Sequence, residues 1–186
     1  MDTADEYDLF SNLGLEEGLY ALSDLNWVEA QTLLEEALLN SSDDDQAQNG
    51  LNAIEFWRQR LRDSVWTEGE IQVLIEDVKQ YKFSDLPKEF IWKILRFIAS
   101  KMSEVASYSP ETIVSIFDLL YDAGLNRDAE EFIKDYLKNA PESALYLSCL
   151  AQVQWRTNNN VDANLNFIKA VIYDPPSIQP ARIVNG

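Results

Sequence analysis

Residues 126–141 read NRDAEEFIKDYLKNAP, and residues 160–175 read NVDANLNFIKAVIYDP. The second stretch repeats the first at a shift of 34 residues, because Asn, Asp, Ala and Pro recur at the same places and a large apolar residue recurs between them. A fixed period of this length is typical of folds built from stacked helix pairs. The period predicts two consecutive units, over residues 110–143 and 144–177, each made of a helix, a tight turn and a second helix.

The rest of the chain also has helical periodicity. Apolar residues recur at i, i+3, i+4 and i+7 within residues 71–78, and a similar stripe lies within residues 33–38. Ser109 and Pro110 mark a helix start, since the Ser side chain can accept a hydrogen bond from a free N–H and Pro has none to lose. We therefore predict an all-α fold of about nine helices joined by short turns.

In the unit over residues 144–177, Ala163, Phe167, Ala170 and Pro175 stand at positions 20, 24, 27 and 32. This pattern resembles the tetratricopeptide repeat (TPR) family, which places small residues at 20 and 27, a large apolar residue at 24 and Pro at 32. Small residues let paired helices approach closely, and the large residue fills the wedge against the next pair. The resemblance implies an α-solenoid of antiparallel helix pairs that forms a right-handed superhelix.

The preceding unit matches the same pattern less completely. Ala129, Ile133 and Pro141 stand at the expected positions, whereas Phe117 and Tyr136 occupy positions that usually hold small residues. These two large side chains are expected to hold the helices of this unit further apart than in the family.

A third unit fits residues 11–44 more weakly. Its pattern positions are held by Gly18, Trp27, Ala30, Leu34 and Ala37. Residues 45–109 are interpreted as degenerate repeats or as a helical insert, and residues 178–186 as a tail or a truncated cap. Together these segments predict one helical repeat domain over residues 1–186.

In the TPR family, the first helices of successive units line a concave groove that binds a partner peptide. By that resemblance, the groove residues here are Val114, Asp118, Tyr121, Asp122, Leu145, Ser148, Gln152, Trp155 and Arg156. Tyr and Trp are good interface anchors because they bury a large area at low entropic cost. We therefore expect a protein-interaction module or scaffold. The alternative for Tyr121 and Trp155 is plain packing against the following helix.

The formal net charge of −17 is uneven along the chain. Residues 1–57 hold 14 Asp or Glu and neither Lys nor Arg, whereas residues 58–186 hold 18 acids and 15 bases. Such an acidic segment repels polyanions, so we expect no nucleic-acid partner. It would attract a basic protein partner, or it would simply keep the chain soluble.

The residue inventory argues against most catalytic chemistry. The chain has no His, and its one Cys, Cys149, lies in an apolar run that predicts a buried core residue. Neither a His-dependent triad nor a multi-Cys zinc site can be built, phosphate-cradling motifs are absent, and no carboxylate pair stands out by its spacing. We therefore expect no enzyme, no metal and no cofactor.

The chain begins with acidic residues and lacks a long apolar run. We interpret it as a cytoplasmic protein without membrane insertion. The C-terminal face of the stack is expected to meet a second copy in a homodimer or to continue into a longer chain.

Two other functions remain open at this point. One is a small acidic assembly or secretion chaperone, which an apolar groove lined by Leu19, Leu22 and Leu145 would favour. The other is a ligand-binding helical bundle or an enzyme with a cavity in the aromatic-rich middle of the chain. That middle contains Phe56, Trp57, Trp66, Tyr81, Phe83, Phe90, Trp92 and Phe97.

Overall fold

A computed structural model describes residues 3–40, 45–62, 66–103 and 108–178, without the side chains of residues 3–12. Within these residues there are nine α-helices, a short 3-10 helix and no strand. The α-helices are α1 (Thr3–Ser23), α2 (Trp27–Asn40), α3 (Asp45–Arg58), α4 (Glu68–Gln80), α5 (Lys88–Ser103), α6 (Pro110–Asp122), α7 (Asn126–Asn139), α8 (Ala144–Arg156) and α9 (Asn160–Tyr173). The prediction of an all-α fold is confirmed.

The helices form two compact units. Unit 1 comprises Met1–Ser64 and Glu76–Phe97, and unit 2 comprises Val65–Ile75 and Ile98–Gly186, so α4 and α5 contribute to both. Helices pack against their neighbours in chain order, as α1 to α3 do in unit 1 and α6 to α9 do in unit 2. That these units act as one domain stays a prediction.

In unit 1, three helices meet around one leucine. A Cβ atom built on Gly18 of α1 would lie 2.9 Å from the Leu34 side chain, and one built on Gly50 of α3 would lie 2.7 Å from it. Leu34 itself is fully buried. Two glycines therefore make the space that this α2 side chain fills, and α1, α2 and α3 approach closely because of them.

In unit 2, the helix pairs coincide with the predicted repeats. The segment over residues 110–143 contains α6 and α7, and the segment over 144–177 contains α8, α9 and the 3-10 turn Pro175–Ser177. The small residues of the repeat pattern, Ala129, Ala163 and Ala170, are fully buried, and so is Ala151 of α8.

Three helix pairs share the same turn. Leu25, Gly124 and Asn158 have positive φ angles of 60°, 78° and 63°, and each follows the first helix of its pair. The next residue donates its N–H to a carbonyl five residues back in every case: Asn26 to Ala21, Leu125 to Leu120, and Asn159 to Gln154. This hydrogen-bond pattern is the Schellman ending of a helix. The three turns stand at equivalent places in the segments 11–44, 110–143 and 144–177.

A carboxylate links the start of α4 to the start of α6 in unit 2. Glu68 accepts hydrogen bonds from the Ser109 N–H at 3.0 Å and from the Thr112 hydroxyl at 2.8 Å. The Ser109 side chain in turn accepts from the Thr112 N–H, which confirms the predicted helix start. The hydrogen bonds from Ser109, and then from Thr112, lower the pKa of Glu68 below its ordinary value of 4.5.

We expect Gly18→Leu to destabilise the protein by roughly 1–3 kcal/mol, since the new side chain would overlap Leu34. Gly14→Leu is the matched control, because a Cβ at Gly14 of the same helix meets nothing within 4 Å. Replacing Gly in a helix is favourable by roughly 0.5–1 kcal/mol where space is open. Urea unfolding monitored by circular dichroism measures both effects. Equal effects at the two positions would contradict the close approach of α1 and α2.

We expect Glu68→Gln to lower the free energy of unfolding at pH 7. Because folding lowers the pKa of Glu68, its contribution is fully present above pH 4.5 and is lost as the pH falls through the folded-state pKa. The difference between wild type and variant should therefore shrink on acidification below pH 4.5. Denaturant titrations at several pH values test this, with the exposed turn residue Glu142→Gln as the control. A difference independent of pH would refute the role of the carboxylate.

Candidate partner-binding site

The residues predicted for a groove lie on α6 and α8, which pack against each other. Asp122 and Arg156 are exposed, and the half-buried residues are Asp118, Tyr121, Leu145, Gln152 and Trp155. Val114 and Ser148, by contrast, are 4% and 0% exposed. The Ser148 hydroxyl donates to the carbonyl oxygen of Leu145 in its own helix at 2.7 Å. These two residues therefore offer almost no surface to a partner.

The structure brings Tyr121 and Arg156 together. The Arg156 guanidinium carbon lies 4.3 Å from the centroid of the Tyr121 ring, and Arg156 Nη1 donates to the Tyr121 carbonyl oxygen at 2.7 Å. The same ring stacks on Phe117, with 6.0 Å between centroids. Tyr121 is thus largely engaged in contacts within unit 2, as the packing alternative expects. A binding role for the α6–α8 surface stays a prediction.

A groove that the sequence did not indicate lies in unit 1 between α1 and α5. Its volume is about 660 Å³, and its apolar wall includes Leu19 and Tyr20 from α1 and Trp92 from α5. Tyr20 is 73% exposed, although it lines the same groove as Leu19 and Trp92. This exposure leaves most of the ring free to contact another molecule.

Charged side chains surround the apolar wall of the α1–α5 groove. Glu16, Asp24 and Glu89 provide acids, and Lys93 and Arg96 provide bases. Lys93 Nζ lies 3.4 Å from Asp24 Oδ1, so an ion pair connects α5 to the end of α1. Both members of this pair are about half exposed, and the pair is therefore weak enough to exchange for contacts with a ligand.

A second groove runs along the other side of α1, against α2. Its volume is about 590 Å³, and its acids are Glu16, Glu17, Asp24 and Glu29, with no base among the lining residues. Tyr20 lines both grooves. The tyrosine therefore forms a ridge, which we call the Tyr20 ridge, between a groove of mixed charge and an acidic one.

Four aromatic residues in the middle of the chain form one cluster in unit 1. The rings of Phe56, Trp57, Tyr81 and Phe83 pack with centroids 4.8 to 5.8 Å apart. Trp57 is fully buried. These four rings thus pack mainly against one another, whereas Trp92 of the same aromatic set lines the α1–α5 groove, and the ligand-binding alternative stays a prediction.

The chaperone alternative requires Leu19, Leu22 and Leu145 to line an apolar groove. Leu19 and Leu145 are half-buried, but Leu22 is fully buried in the core of unit 1. The groove beside Leu19 is also rimmed by charges. The arrangement of these leucines therefore does not favour a chaperone.

Cys149 is fully buried, which confirms its predicted place in the core. Within the described ranges, no three His, Cys, Asp or Glu side chains are grouped so that they could hold a metal ion. None of the helices in the same ranges combines the length and the apolar composition needed to cross a membrane.

In comparisons with known proteins, no protein-family model, curated protein or solved structure matches this chain. The TPR resemblance therefore stays a prediction that rests on the residues of the chain.

We expect Arg156→Ala to destabilise the protein by about 1 kcal/mol, because it removes both the contact with the Tyr121 ring and the hydrogen bond to the Tyr121 carbonyl. Arg127→Ala is the control, since Arg127 is exposed and pairs only along its own helix with Glu131 at 2.9 Å. Its loss should cost less than about 0.5 kcal/mol. Thermal and urea unfolding of both variants measure the difference, and equal losses would show that Arg156 does not hold α8 against Tyr121.

Proposed function

We propose that this chain is a protein-interaction module, and that its unit 1 binds a partner segment combining an apolar anchor with basic side chains across the Tyr20 ridge. The observation that carries the proposal is the 73% exposure of Tyr20 between two grooves. A tyrosine left in water at such a place gains contact area when a partner covers it, and its hydroxyl can keep a hydrogen bond at the rim.

The shape of the α1–α5 groove supports an apolar anchor. Leu19, Tyr20 and Trp92 give it an apolar wall, and Pro87 lies at the same rim. Pockets that bind a partner side chain commonly combine such a wall with a few charged groups around it. An aromatic or branched aliphatic side chain of the partner would fill this groove and exclude water from Tyr20 and Trp92.

The charged residues that line the two grooves indicate which partner residues should flank the apolar anchor. Glu17 and Glu29 line only the acidic groove, whereas Lys93 and Arg96 line only the groove of mixed charge. A partner crossing the Tyr20 ridge would therefore place Lys or Arg over the α1–α2 side. An Asp, a Glu or a terminal carboxylate would lie on the α5 side. Acidic residues without a base across residues 1–57 would also speed the encounter with a basic partner.

The repeat pattern supports the same class of function. Resemblance to the TPR family over residues 110–177 and 11–44 favours peptide binding or scaffolding over catalysis. In this proposal the acidic segment serves recognition as well as solubility.

Random 12-residue peptides displayed on phage and selected on the full chain would test the proposal directly. We expect enriched sequences with Lys or Arg next to an aromatic or aliphatic anchor, and dissociation constants on the order of micromolar. Affinity should fall as salt is raised, because the charges on the α1–α2 side are exposed.

Tyr20→Ala should weaken binding of a selected peptide at least about tenfold, as expected for an aromatic anchor. Val28→Ala is the matched control, since Val28 is an exposed apolar residue of α2 that lines neither groove. Isothermal titration calorimetry with both variants gives the ratio. If Tyr20→Ala and Val28→Ala bind alike while a Tyr121→Ala/Trp155→Ala variant fails, the α6–α8 surface is the binding site instead.

A further inference from the structure

Helix α9 in unit 2 presents an apolar stripe to solvent. Val161, Leu165, Ile168 and Ile172 are spaced by four, three and four residues, so they share one face, and their exposed fractions range from 49% to 80%. The opposite face carries the small residues Ala163 and Ala170, which are fully buried and contribute to the packing of α9 on α8. These four larger apolar side chains therefore point away from the core.

The chain beyond α9 turns toward the inner side of the helix. After the 3-10 turn, Ile178 is buried against Ala144 and Leu147 of α8 and against Ala170 of α9. Since Ala170 lies opposite the exposed stripe, Ile178 covers the core side and leaves the outer face open.

The charges of α9 differ from those of the chain as a whole. Two copies of a chain with net charge −17 repel each other, so a shared contact requires a surface without excess negative charge. Residues 160–173 contain one acid, Asp162, and one base, Lys169, and both are exposed. They are seven residues apart and therefore lie on the same flank of the apolar stripe.

We propose that a second copy of this chain covers the stripe, with its α9 packed antiparallel against α9 of the first. A two-fold axis that passes between Leu165 and Ile168 superposes the stripe on itself. Leu165 then faces Ile168 of the partner subunit, and Val161 faces Ile172 of the partner subunit.

This arrangement also pairs the charges. The same axis keeps the charged flanks of both helices on one side, so Asp162 lies beside the partner subunit's Lys169, offset by about 3 Å along the helix axis. The reciprocal pair forms at the other end. A parallel two-fold arrangement would instead place the two charged flanks on opposite sides of the contact, so Asp162 and Lys169 would not pair across it.

The size of the contact sets the expected affinity. A helix of 14 residues is about 21 Å long, which gives an interface at the small end of specific interfaces. We expect a reversible dimer with a dissociation constant on the order of micromolar. The dimer lies on unit 2, so it is independent of the peptide site proposed on unit 1.

Sedimentation equilibrium of the full chain from about 1 to 100 μM tests the proposal, since that range brackets a micromolar constant. Ile168→Glu should weaken the dimer at least about tenfold, because it places a charge in the centre of the apolar contact. Leu39→Glu is the matched control: Leu39 is an exposed leucine of α2 in unit 1, and this variant should dimerise as wild type does. Circular dichroism confirms that both variants fold.

A charge exchange distinguishes this arrangement from other uses of the same face. Asp162→Lys alone and Lys169→Asp alone each bring like charges together, so both should dimerise at least about tenfold more weakly. Mixing the two variants restores opposite charges at both ends of the contact, and a heterodimer with nearly wild-type affinity should form.

Three results would overturn the proposal. The first is a wild-type chain that stays monomeric at about 100 μM, the upper end of the tested range. The second is equal dimer affinity of Ile168→Glu and Leu39→Glu. The third is a mixture of the two charge variants that does not associate. If deletion of residues 179–186 makes a monomeric chain dimerise, that segment and not a second copy covers the stripe.

Discussion

Close approach of helices at small residues is the constraint on which the rest of this structure depends. Leu34 can be fully buried because Gly18 and Gly50 leave space for it, and α1, α2 and α3 pack together around that side chain. In unit 2 the same requirement is met by alanines, with Ala151, Ala163 and Ala170 fully buried in α8 and α9. Interiors are packed too densely to accept extra methylene groups at such crossings. The small residues therefore determine which faces of the helices become core, and the remaining faces are available for binding.

Much of this organisation was predictable from the sequence. The period of 34 residues placed the helix pairs α6–α7 and α8–α9, and Ser109 with Pro110 marked the start of α6. Leu25 was not predictable as a turn residue, since leucine has no preference for positive φ. The Leu25 conformation follows from the hydrogen bond that the Asn26 N–H donates to the Ala21 carbonyl, and the other two turns have the equivalent bond. The backbone hydrogen bond that ends the helix outweighs the local preference of the side chain there.

The site was less predictable than the fold, for two physical reasons. A repeat pattern indicates which helix face is shared between units, but it does not say how deeply each residue lies. For that reason Val114 and Ser148 belong to the predicted surface and are nevertheless buried. The α1–α5 groove, in turn, joins Tyr20 to Trp92, which are distant in sequence and are related by no period. Only the folded chain brings them to one rim, and the exposure of an aromatic ring cannot be read from its residue type.

The distribution of large and small side chains connects the fold to its surfaces. Helix α9 packs on α8 with Ala163 and Ala170 buried completely. Leu165 and Ile168 lie on the other face and contribute little to that packing. Exposed apolar side chains of this kind lower solubility and favour association with other molecules. The same reasoning applies to Tyr20 in unit 1, where an exposed ring adds nothing to the close approach of α1 and α2. In both units, then, small residues pack where helices approach closely, and the two proposed contacts rest on large apolar residues left outside that packing.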